Sequence, residues 1–442
     1  MADTLLDELF DWLRIPSIST GGGDPAEIAK AAEWAAAKVR AAGGEAELLT
    51  VREGGNPLVV GELRASSAAD SAPTVLIYGH YDVQGAEPLD LWTTPPFEPV
   101  VRDGRVFARG AADDKGNFLP LLAAACDLAR EGALPVNVRV AVEGEEEAGG
   151  ESISQWLKDD ARGADAAIVY DSGMVSPDLP AITVGLRGVH LVTFDVRAAE
   201  RDLHSGMYGG SAMNALHALH QGLAAVIPGP DGRVRDELRA GIAPPTGEER
   251  ASWADLPSGQ ESLDAAGARP AYPNAAAEFV ERNGSDTAVD VDQIVAGDAR
   301  TVIPAVARAT VSIRVAPGQD VVAIGAELER LIREALPEGA EMTVVSAHTA
   351  PPAHFPADSP VLQIAGRAIE RATGVAPAFT RSGGAIPFVA DLSEKGIPTI
   401  VTGFVLPDDP FHAPDESFSL RGLELGYKSA RELLTGLAEL GR

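Results

Sequence analysis

The sequence predicts an α/β protein in which helices flank a mixed, twisted sheet and a smaller α+β domain is inserted. A chain of 442 residues is long for a single core, so two domains are the starting expectation. Short apolar segments alternate with helical ones up to residue 186, and a similar alternation returns from about residue 349. We therefore predict one domain formed by residues 1–186 and 349–442, and an inserted domain at 187–348.

The first part of the larger domain is expected to begin with helices. Leucine spacing predicts a helix ending near Leu13, and Asp24-Pro25 has the composition of an N-cap followed by proline in the first helical turn. The remaining elements follow from hydrophobic runs and their boundaries. They are strands at 58–63, 74–78, 136–142 and 166–170, a hairpin around 102–104, and helices at 118–130 and 152–158.

The inserted domain has a different order of elements. Residues 228–285 are rich in glycine, proline and charge and have no clean periodicity, so no element is predicted there. Around them, a strand, a helix, a strand, a helix and a strand follow one another, which is typical of a ferredoxin-like α+β domain. The predicted strands are 189–196, 309–315 and 342–346, and the predicted helices are 212–225 and 321–336.

The charge and cysteine content exclude several classes of protein. There are 65 acidic against 36 basic residues, a formal charge of -29, which disfavours nucleic acid and anionic membranes as partners. No segment reaches the ~20 apolar residues that span a bilayer. The single cysteine, Cys126, cannot form an intramolecular disulfide, and the acidic N-terminus lacks the features of a signal peptide. The cytoplasm is the expected location.

The end of the second strand carries a histidine and a carboxylate. In Gly79-His80-Tyr81-Asp82 the two side chains are two residues apart, a spacing that suits a metal-binding His80 oriented by Asp82. Ligands of α/β proteins bind outside the carboxyl ends of the strands, which is where this motif lies. Taken alone, a histidine in a structural loop remains an alternative interpretation.

Two acidic motifs lie near other element boundaries. Asp113-Asp114 precedes a predicted helix, and an N-cap pair stabilised by the helix dipole is the alternative to metal binding there. Glu145-Glu146-Glu147 follows an apolar strand, and three consecutive carboxylates repel one another unless a cation is present. A solvated acidic loop remains possible for any one of the three.

Two further candidate ligands complete a set of two histidines and several carboxylates. Asp171 follows the strand predicted at 166–170, and His412 lies in Asp-Asp-Pro-Phe-His-Ala-Pro-Asp-Glu. Such a set suits a pair of Zn²⁺ or similar divalent ions. Two metals can act together as Lewis acid, generator of a nucleophile and template for hydrolysis.

These five segments, in this order, resemble the M20 metallopeptidase family, which includes carnosinases, non-specific dipeptidases, acetylornithine deacetylases and succinyl-diaminopimelate desuccinylases. The likeness spans residues 80–416. It implies two divalent metal ions per chain, with Zn²⁺ as the first candidate and Mn²⁺ or Co²⁺ as alternatives. It also implies the ligands, which are His80 and Asp171 on one ion, Glu147 and His412 on the other, and Asp113 bridging them.

The resemblance implies further roles outside the metal ligands. Glu146 corresponds to the general base of the family, and Asp82 to the carboxylate that orients the first histidine. In the inserted domain, His204 lies in Asp-Leu-His-Ser-Gly-Met-Tyr-Gly-Gly, which is close to the dipeptidase version of a loop that completes an oxyanion site across a dimer interface. A glycine-rich turn with an exposed histidine is the alternative interpretation.

Substrate-binding residues are implied in the same way. Arg314, in Ser-Ile-Arg-Val, corresponds to an arginine that binds the substrate carboxylate, although a surface arginine paired with an acid would have the same pattern. Thr301 and Gly384 correspond to further substrate contacts. The chain departs from the family pattern at Ser382 and Ala385, and also at Ala413, which leaves the preferred substrate open.

The resemblance implies a homodimeric enzyme that hydrolyses the amide bond of dipeptides or short peptides, as in the carnosinase and cytosolic non-specific dipeptidase branch. In that family the inserted domain serves as a lid and dimerisation domain. The loop at residues 203–210, the chain length and the segment 228–285 favour this branch. The alternative is an N-acyl-amino-acid deacylase of the acetylornithine deacetylase type, which uses the same metal centre.

Overall fold

The structure, a computed structural model, describes residues 2–298 and 300–441. Its helices are α1 (Ala2–Leu13), α2 (Pro25–Ala41), α3 (Lys115–Arg130), α4 (Glu151–Asp159), α5 (Ser205–Tyr208), α6 (Ala215–Ala224), α7 (Gly247–Ser252), α8 (Gly259–Ala265), α9 (Phe279–Ser285), α10 (Val321–Ala335), α11 (Pro360–Thr373), α12 (Pro387–Glu394) and α13 (Leu420–Leu437).

The strands lie between these helices, mostly in short runs. They are β1 (Glu45–Leu49), β2 (Leu58–Leu63), β3 (Thr74–His80), β4 (Val100–Arg102), β5 (Arg105–Phe107), β6 (Asn137–Glu143), β7 (Ala166–Tyr170), β8 (Ala181–Leu186), β9 (Gly188–Arg197), β10 (Leu203–His204), β11 (Ala288–Ala296), β12 (Val302–Ile303), β13 (Val306–Val315), β14 (Glu341–Ala350), β15 (Ala353–His354), β16 (Ala378–Ser382), β17 (Thr399–Thr402) and β18 (Ser417–Ser419).

A mixed sheet forms the centre of the larger unit. Its strand order is β1-β2-β6-β3-β7-β17-β8-β15, and β16 pairs with β8 beside this path. The neighbours β6, β3, β7 and β17 run parallel, whereas β2 and β8 pair antiparallel with this group. Helices including α2, α3, α11 and α13 bury their apolar faces in one core with this sheet. The predicted α/β arrangement, with a mixed sheet and flanking helices, is confirmed.

The parallel strands of this sheet end together. In the register of β3 and β6, His80 lies opposite Glu143, and Tyr78 of β3 lies opposite Val169 of β7. Parallel strands place their carboxyl ends on one edge of the sheet, so the residues that follow them share that edge. The segments after β3, β6 and β7 therefore meet there.

A second sheet, formed by residues 188–350, has the order β11-β13-β9-β14, and every neighbouring pair is antiparallel. With α6 after β9 and α10 after β13, the chain order is βαββαβ, which is the ferredoxin-like arrangement. This unit has its own apolar core, which includes Phe194, Leu219, Val311 and Ile332. Its last strand ends at Ala350, two residues beyond the boundary predicted from the sequence.

Strand β11 was not predicted, because the alternation of its valines and aspartates covers only residues 289–292. Asp290, Asp292 and Gln293 are exposed, and a bulge interrupts the register between Val291 and Gln293. The helix predicted from residue 212 begins three residues later, since the Asn214 side chain accepts the N–H groups that start α6.

Short helices occupy the segment 228–285, where the sequence predicted no element. Two of them begin with reciprocal capping boxes, Thr246 with Glu249 in α7 and Ser258 with Glu261 in α8. Among the described residues, no helix combines the length and the apolar character needed to cross a bilayer.

Candidate metal centre and active site

Two groups of ligating side chains meet at the shared sheet edge. His80, Asp113 and Asp171 form one group, and Asp113, Glu147 and His412 form the other. Within each group the ligand atoms lie within 4.8 Å of one another. The five residues come from segments up to 332 positions apart in the sequence, and Asp113 belongs to both groups.

The two carboxylate oxygens of Asp113 point to different histidines. Oδ1 lies 3.0 Å from Nε2 of His80, and Oδ2 lies 2.9 Å from Nε2 of His412. His412 Nε2 is also 3.1 Å from Oε1 of Glu147. This is the disposition expected of a carboxylate that bridges two cations, each of which has one imidazole ligand.

The surroundings of His80 select the tautomer that can bind a metal. Its Nδ1 lies 3.0 Å from the backbone carbonyl oxygen of Asp82, which can only accept a hydrogen bond. In the neutral ring the proton is therefore on Nδ1, and the lone pair of Nε2 is directed at Asp113. The residues present thus fit a metal ion in both donor type and orientation.

The carboxylates of the cluster carry an unfavourable concentration of negative charge. Burial and neighbouring carboxylates, Asp113 among them, together raise the pKa of Asp171 to about 6. Burial, with Asp171 and Asp113 adding to the rise, brings the pKa of Glu146 to about 8. For Asp113 burial acts in the same direction, but the hydrogen bonds that His412 and His80 donate when their rings are protonated hold its pKa well below the usual range. Such mutual repulsion is relieved by a bound cation.

Asp82 links the first histidine to the acidic turn after β6. Its carboxylate accepts the backbone N–H groups of Glu146 at 3.3 Å and Glu147 at 3.1 Å. Oδ1 of Asp82 also lies 3.4 Å from Nδ1 of His80, and Oδ2 accepts the Ser19 hydroxyl at 2.6 Å. One buried carboxylate therefore positions residues of both candidate metal groups, and the contribution of Ser19 had no signal in the sequence.

Glu146 differs from its neighbour in the same turn. Glu147 accepts a hydrogen bond from Gln84 Nε2 at 2.8 Å and lies against His412. The Glu146 carboxylate forms no hydrogen bond with any residue that the structure describes. A half-buried carboxylate with a raised pKa and free oxygens beside a metal cluster is suited to proton transfer.

Glu416 fixes the segment that carries Asp113, a role the sequence did not indicate. This fully buried carboxylate accepts the backbone N–H groups of Gly110 at 3.0 Å, Ala112 at 2.8 Å and Asp113 at 3.0 Å. It also pairs with Arg109 Nη1 at 2.7 Å. Asp114 makes no capping bond to α3, so the N-cap pair considered from the sequence is not formed.

His412 stands on a loop with an uncommon backbone conformation. Its φ of 58° lies in the left-handed region, which residues other than glycine rarely adopt. Contacts on both sides stabilise the loop: Arg105 pairs with Asp409, and Asp415 accepts the Thr93 N–H at 2.9 Å. The surrounding fold therefore compensates for the strain at the ligand.

A cavity of about 320 Å³ opens beside Asp113 and Asp171. Polar groups enter it near the metal residues, and its far wall is apolar, as in pockets that take small organic ligands. The apolar and loop residues of this wall include Leu186, Ser382, Ile386, Val401, Val405 and Leu406.

His204 and Thr301 lie together, away from this cluster. His204 belongs to a two-stranded ribbon of β10 and β12, and Thr301 directly precedes β12, where its carbonyl accepts the Ser205 N–H at 3.0 Å. His204 is exposed, and its Nδ1 accepts the Gly206 N–H at 3.1 Å. Within residues 2–298 and 300–441, no hydrogen bond or ion pair connects His204 to a candidate metal ligand.

Arg314 lies beside a second arginine that the sequence analysis overlooked. Arg314 pairs across β13 and β9 with Val189, so Arg187, two residues earlier, is on the same side. Burial and the nearby charge of Arg314 together lower the pKa of Arg187 to about 10. Arg187 donates its backbone N–H to the Ser382 carbonyl at 3.1 Å, which brings both arginines near the loop of Gly384.

Comparisons with known proteins agree with this arrangement. The sequence profile of the peptidase family M20/M25/M40 matches residues 76–436. A cysteinylglycine-S-conjugate dipeptidase of Corynebacterium striatum is 30% identical over 379 residues, which cover 82% of this chain and 81% of that protein. The Cys-Gly metallodipeptidase DUG1 of Saccharomyces cerevisiae is 28% identical over 394 residues, covering 84% of this chain and 80% of the yeast protein.

Solved structures share the fold over almost the whole chain. The M20 family metallo-carboxypeptidase Sso-CP2 from Sulfolobus solfataricus has a TM-score of 0.80 at 25% identity, with 98% of this chain and 99% of that one covered. Human carnosine dipeptidase 1 has a TM-score of 0.75 at 24% identity, with 99% and 96% covered.

Proposed function

The chain belongs to the peptidase family M20/M25/M40 and is a metal-dependent peptidase, and we propose that it hydrolyses dipeptides with two divalent ions held by the five clustered residues. The observation that carries this proposal is the pair of ligand groups sharing Asp113, next to the unbonded carboxylate of Glu146. Relatives named as Cys-Gly dipeptidases, similar over about four fifths of their length, support the choice of substrate class.

In the proposed site, His80 and Asp171 would hold one ion, Glu147 and His412 would hold the other, and Asp113 would contribute to both. The ions, with Zn²⁺ as the first candidate, would supply Lewis acidity and would lower the pKa of water. In this proposal Glu146 transfers the proton, and Asp82 orients Glu146 and His80.

Glu146 acts as general base and then as general acid. Its carboxylate removes a proton from the attacking water and returns it to the amine of the leaving amino acid. Asp82 keeps the turn of Glu146 and the imidazole of His80 in one fixed relation, because it bonds to both. The proton therefore travels between water and leaving group through a single carboxylate.

The substrate carboxylate is proposed to bind near Arg314 and Arg187, with Gly384 beside them. Burial and the charge of Arg314 lower the pKa of Arg187, and a bound carboxylate would offset that repulsion. The cavity wall near Ser382 would contact the side chain of the substrate. If these arginines bind the C-terminal carboxylate of the substrate close to the amide that is cleaved, very short peptides would be favoured.

We propose a homodimer in which the ribbon of His204 and Thr301 completes the site of the partner subunit. The imidazole would donate a hydrogen bond to the oxyanion on the side opposite the metals. The support is the position of His204, which is exposed and makes no contact with the metal cluster among the described residues. The second sheet unit would then act as both lid and dimerisation domain.

We also infer a reducing compartment, with the cytoplasm as the location. Cys126 is free and buried on α3, and burial raises the pKa of its thiol to about 12. A thiol in this environment is neither a nucleophile nor a disulfide partner. It contributes to packing alone.

A substrate panel tests the proposed function. The purified chain is assayed against Xaa-Gly dipeptides, tripeptides and N-acyl amino acids after loading with Zn²⁺, Mn²⁺ or Co²⁺. We expect dipeptides to be the best substrates and chelation to abolish their hydrolysis. Faster hydrolysis of N-acyl amino acids would instead indicate a deacylase, and full activity after complete metal removal would rule out the two-metal proposal.

A further inference from the structure

The strand β16 leads directly into the substrate loop, defined as residues 382–384. Within the described chain it pairs with one strand only, β8, so its other edge is not covered by the sheet. Ser382 at its end lines the cavity beside Asp113 and Asp171. The position of β16 therefore determines where the substrate loop lies relative to the metal cluster.

Side chains from the segment 228–285 cover the open edge of β16. The Phe379 N–H donates to Ser252 Oγ at 3.0 Å, and the Phe379 carbonyl accepts the Trp253 indole N–H at 2.8 Å. An edge strand normally leaves such groups to water or to another strand. Here two side chains of a distant segment satisfy them, which fixes the edge without adding a strand.

A buried ion pair joins the same two segments two residues further along β16. Arg381 Nε lies 2.6 Å from Glu249 Oε2, and its Nη2 lies 3.1 Å from Oε1, while Nη1 donates to the Ala243 carbonyl at 2.7 Å. Both side chains are at most 1% exposed. A pair buried this deeply is stable only when its geometry is fixed by such additional hydrogen bonds. Arg381 is thus held rigidly at the residue before the substrate loop.

The backbone of residues 283–284 also packs closely against the end of β16. A Cβ atom added at Gly284 would lie 2.6 Å from the Arg381 Cβ and 2.7 Å from its carbonyl oxygen. A Cβ atom added at Gly383 would lie 3.1 Å from the Asn283 carbonyl oxygen. Glycine is required at position 284 because the two backbones approach this closely, and a larger residue at position 383 would be tightly packed.

We propose that residues 243–253 and 283–284 form a brace that positions the substrate loop, with Arg381 and Glu249 as positioning residues for substrate binding. The inference rests on the proposed function, because it assumes that the loop contacts a peptide. The brace lies between α6 and β11 of the ferredoxin-like unit, whereas the loop belongs to the central sheet. A segment of the ferredoxin-like unit therefore influences substrate affinity by positioning a loop of the unit that contains the central sheet.

The test replaces the ion pair by apolar side chains of similar length, Arg381→Met together with Glu249→Met. Such a replacement avoids leaving one buried charge unpaired and keeps the chain folded. The matched control is Arg235→Met with Glu237→Met, an exposed ion pair of the segment 228–285 that lies outside the brace. Each metal-loaded protein is compared by dipeptide KM and kcat, metal content and amide hydrogen exchange of residues 380–386.

We expect the double variant Arg381→Met, Glu249→Met to retain both metals. Its amide hydrogen exchange rates at residues 380–386 should rise at least about tenfold. Its kcat/KM should fall about 10- to 100-fold, mostly through KM, because a displacement of about 1 Å in a binding group has effects of this size. The control should match the wild type. Trp253→Phe, which removes only the hydrogen bond to Phe379, should raise KM by a smaller factor without loss of folding.

Unchanged loop exchange in either brace variant would overturn the inference, as would faster exchange with an unchanged KM. A fall in kcat with unchanged KM would also overturn it, since that result indicates general damage to the site. Failure of the wild type to hydrolyse any dipeptide would refute the proposed function instead. The exchange measurement would still show whether the brace holds the loop.

Discussion

The metal cluster and the His204–Thr301 ribbon are built in opposite ways. Three of the cluster residues lie at the ends of buried strands or soon after them, and two fully buried carboxylates, Asp82 and Glu416, fix the backbone of the cluster. The ribbon has two residues in each strand, and its histidine is exposed to solvent. One half of the proposed chemistry is thus organised by buried contacts within the chain, whereas the proposed role of the ribbon depends on a second chain.

The largest effect is expected inside the cluster, from Glu146→Gln. The amide cannot accept and return a proton, so kcat should fall by about 10²–10⁴-fold. Elemental analysis should still find two ions per chain, because Glu146 is not among the proposed ligands. The matched change Glu147→Gln should lose metal. The reverse outcome would exchange the roles of the two glutamates.

On the ribbon side, His204→Ala should lower kcat by about 10²–10³-fold, as expected for loss of an oxyanion donor. Metal content and thermal stability should stay at wild-type values, because the side chain is exposed and distant from the ligands. Kinetic assays and elemental analysis of the same preparation measure both. Loss of metal in this variant would place the ribbon within the cluster and remove the contrast between the two regions.

Mixing the two inactive proteins shows whether the ribbon serves a neighbouring chain. Hybrid dimers of His204→Ala and Glu146→Gln chains contain one site with both functional groups, so part of the activity should return. Mass spectrometry of labelled chains shows that hybrids have formed. Inactive hybrids would mean that His204 acts within its own chain.

A smaller effect is expected for Glu416→Gln, which tests how the cluster is organised. The amide nitrogen would face backbone N–H donors and lose hydrogen bonds that position Asp113. Metal affinity, measured by competition with a chelator, should fall about 10- to 100-fold. Glu424→Gln, at an exposed glutamate of α13 paired with Lys428, is the control. Equal affinities in the two variants would show that Glu416 does not position the cluster.

The smallest effect belongs to Ser19→Ala. This change removes one of the hydrogen bonds to Asp82, and the two backbone N–H groups that remain should keep the carboxylate in place. Since Ser19 is only half-buried, water can replace its hydroxyl, and kcat should fall about threefold. A loss as large as that of Asp82→Asn would mean that the hydroxyl, not the backbone, orients Asp82.

Elements with a strong local signal could be predicted from the sequence. Strands β2 and β7 have the predicted bounds, because each is a mostly apolar run with clear ends. His80, Glu147 and Asp171 were also recognisable as candidate ligands, since each lies at the end of such a run or soon after it. Asp113 and His412 have no such signal, and their proposed roles depend on the family resemblance. Strand β11 has a weaker signal, because Val289 and Val291 alternate with Asp290 and Asp292 over only four residues before a bulge shifts the register. The capping boxes of α7 and α8 were also readable in the sequence, but no helix was predicted from them.

Long-range partners could not be predicted. Glu249 lies 132 residues from Arg381, and neither position has a pattern that indicates the other. The same holds for Arg187, which the residue order alone does not bring near Arg314. A single sequence gives local periodicity and motif chemistry, whereas these pairs depend on how the two units meet.

The bonds between Glu416 and the Asp113 segment connect positions 303 residues apart, and this has a consequence for biosynthesis. A ribosome adds about 5–20 residues per second, so at least about 15 seconds separate the synthesis of the two positions. During that interval the bridging aspartate lacks the carboxylate that fixes its backbone. A nascent chain therefore cannot assemble the complete centre, and peptidase activity begins only after the late segment has emerged and docked.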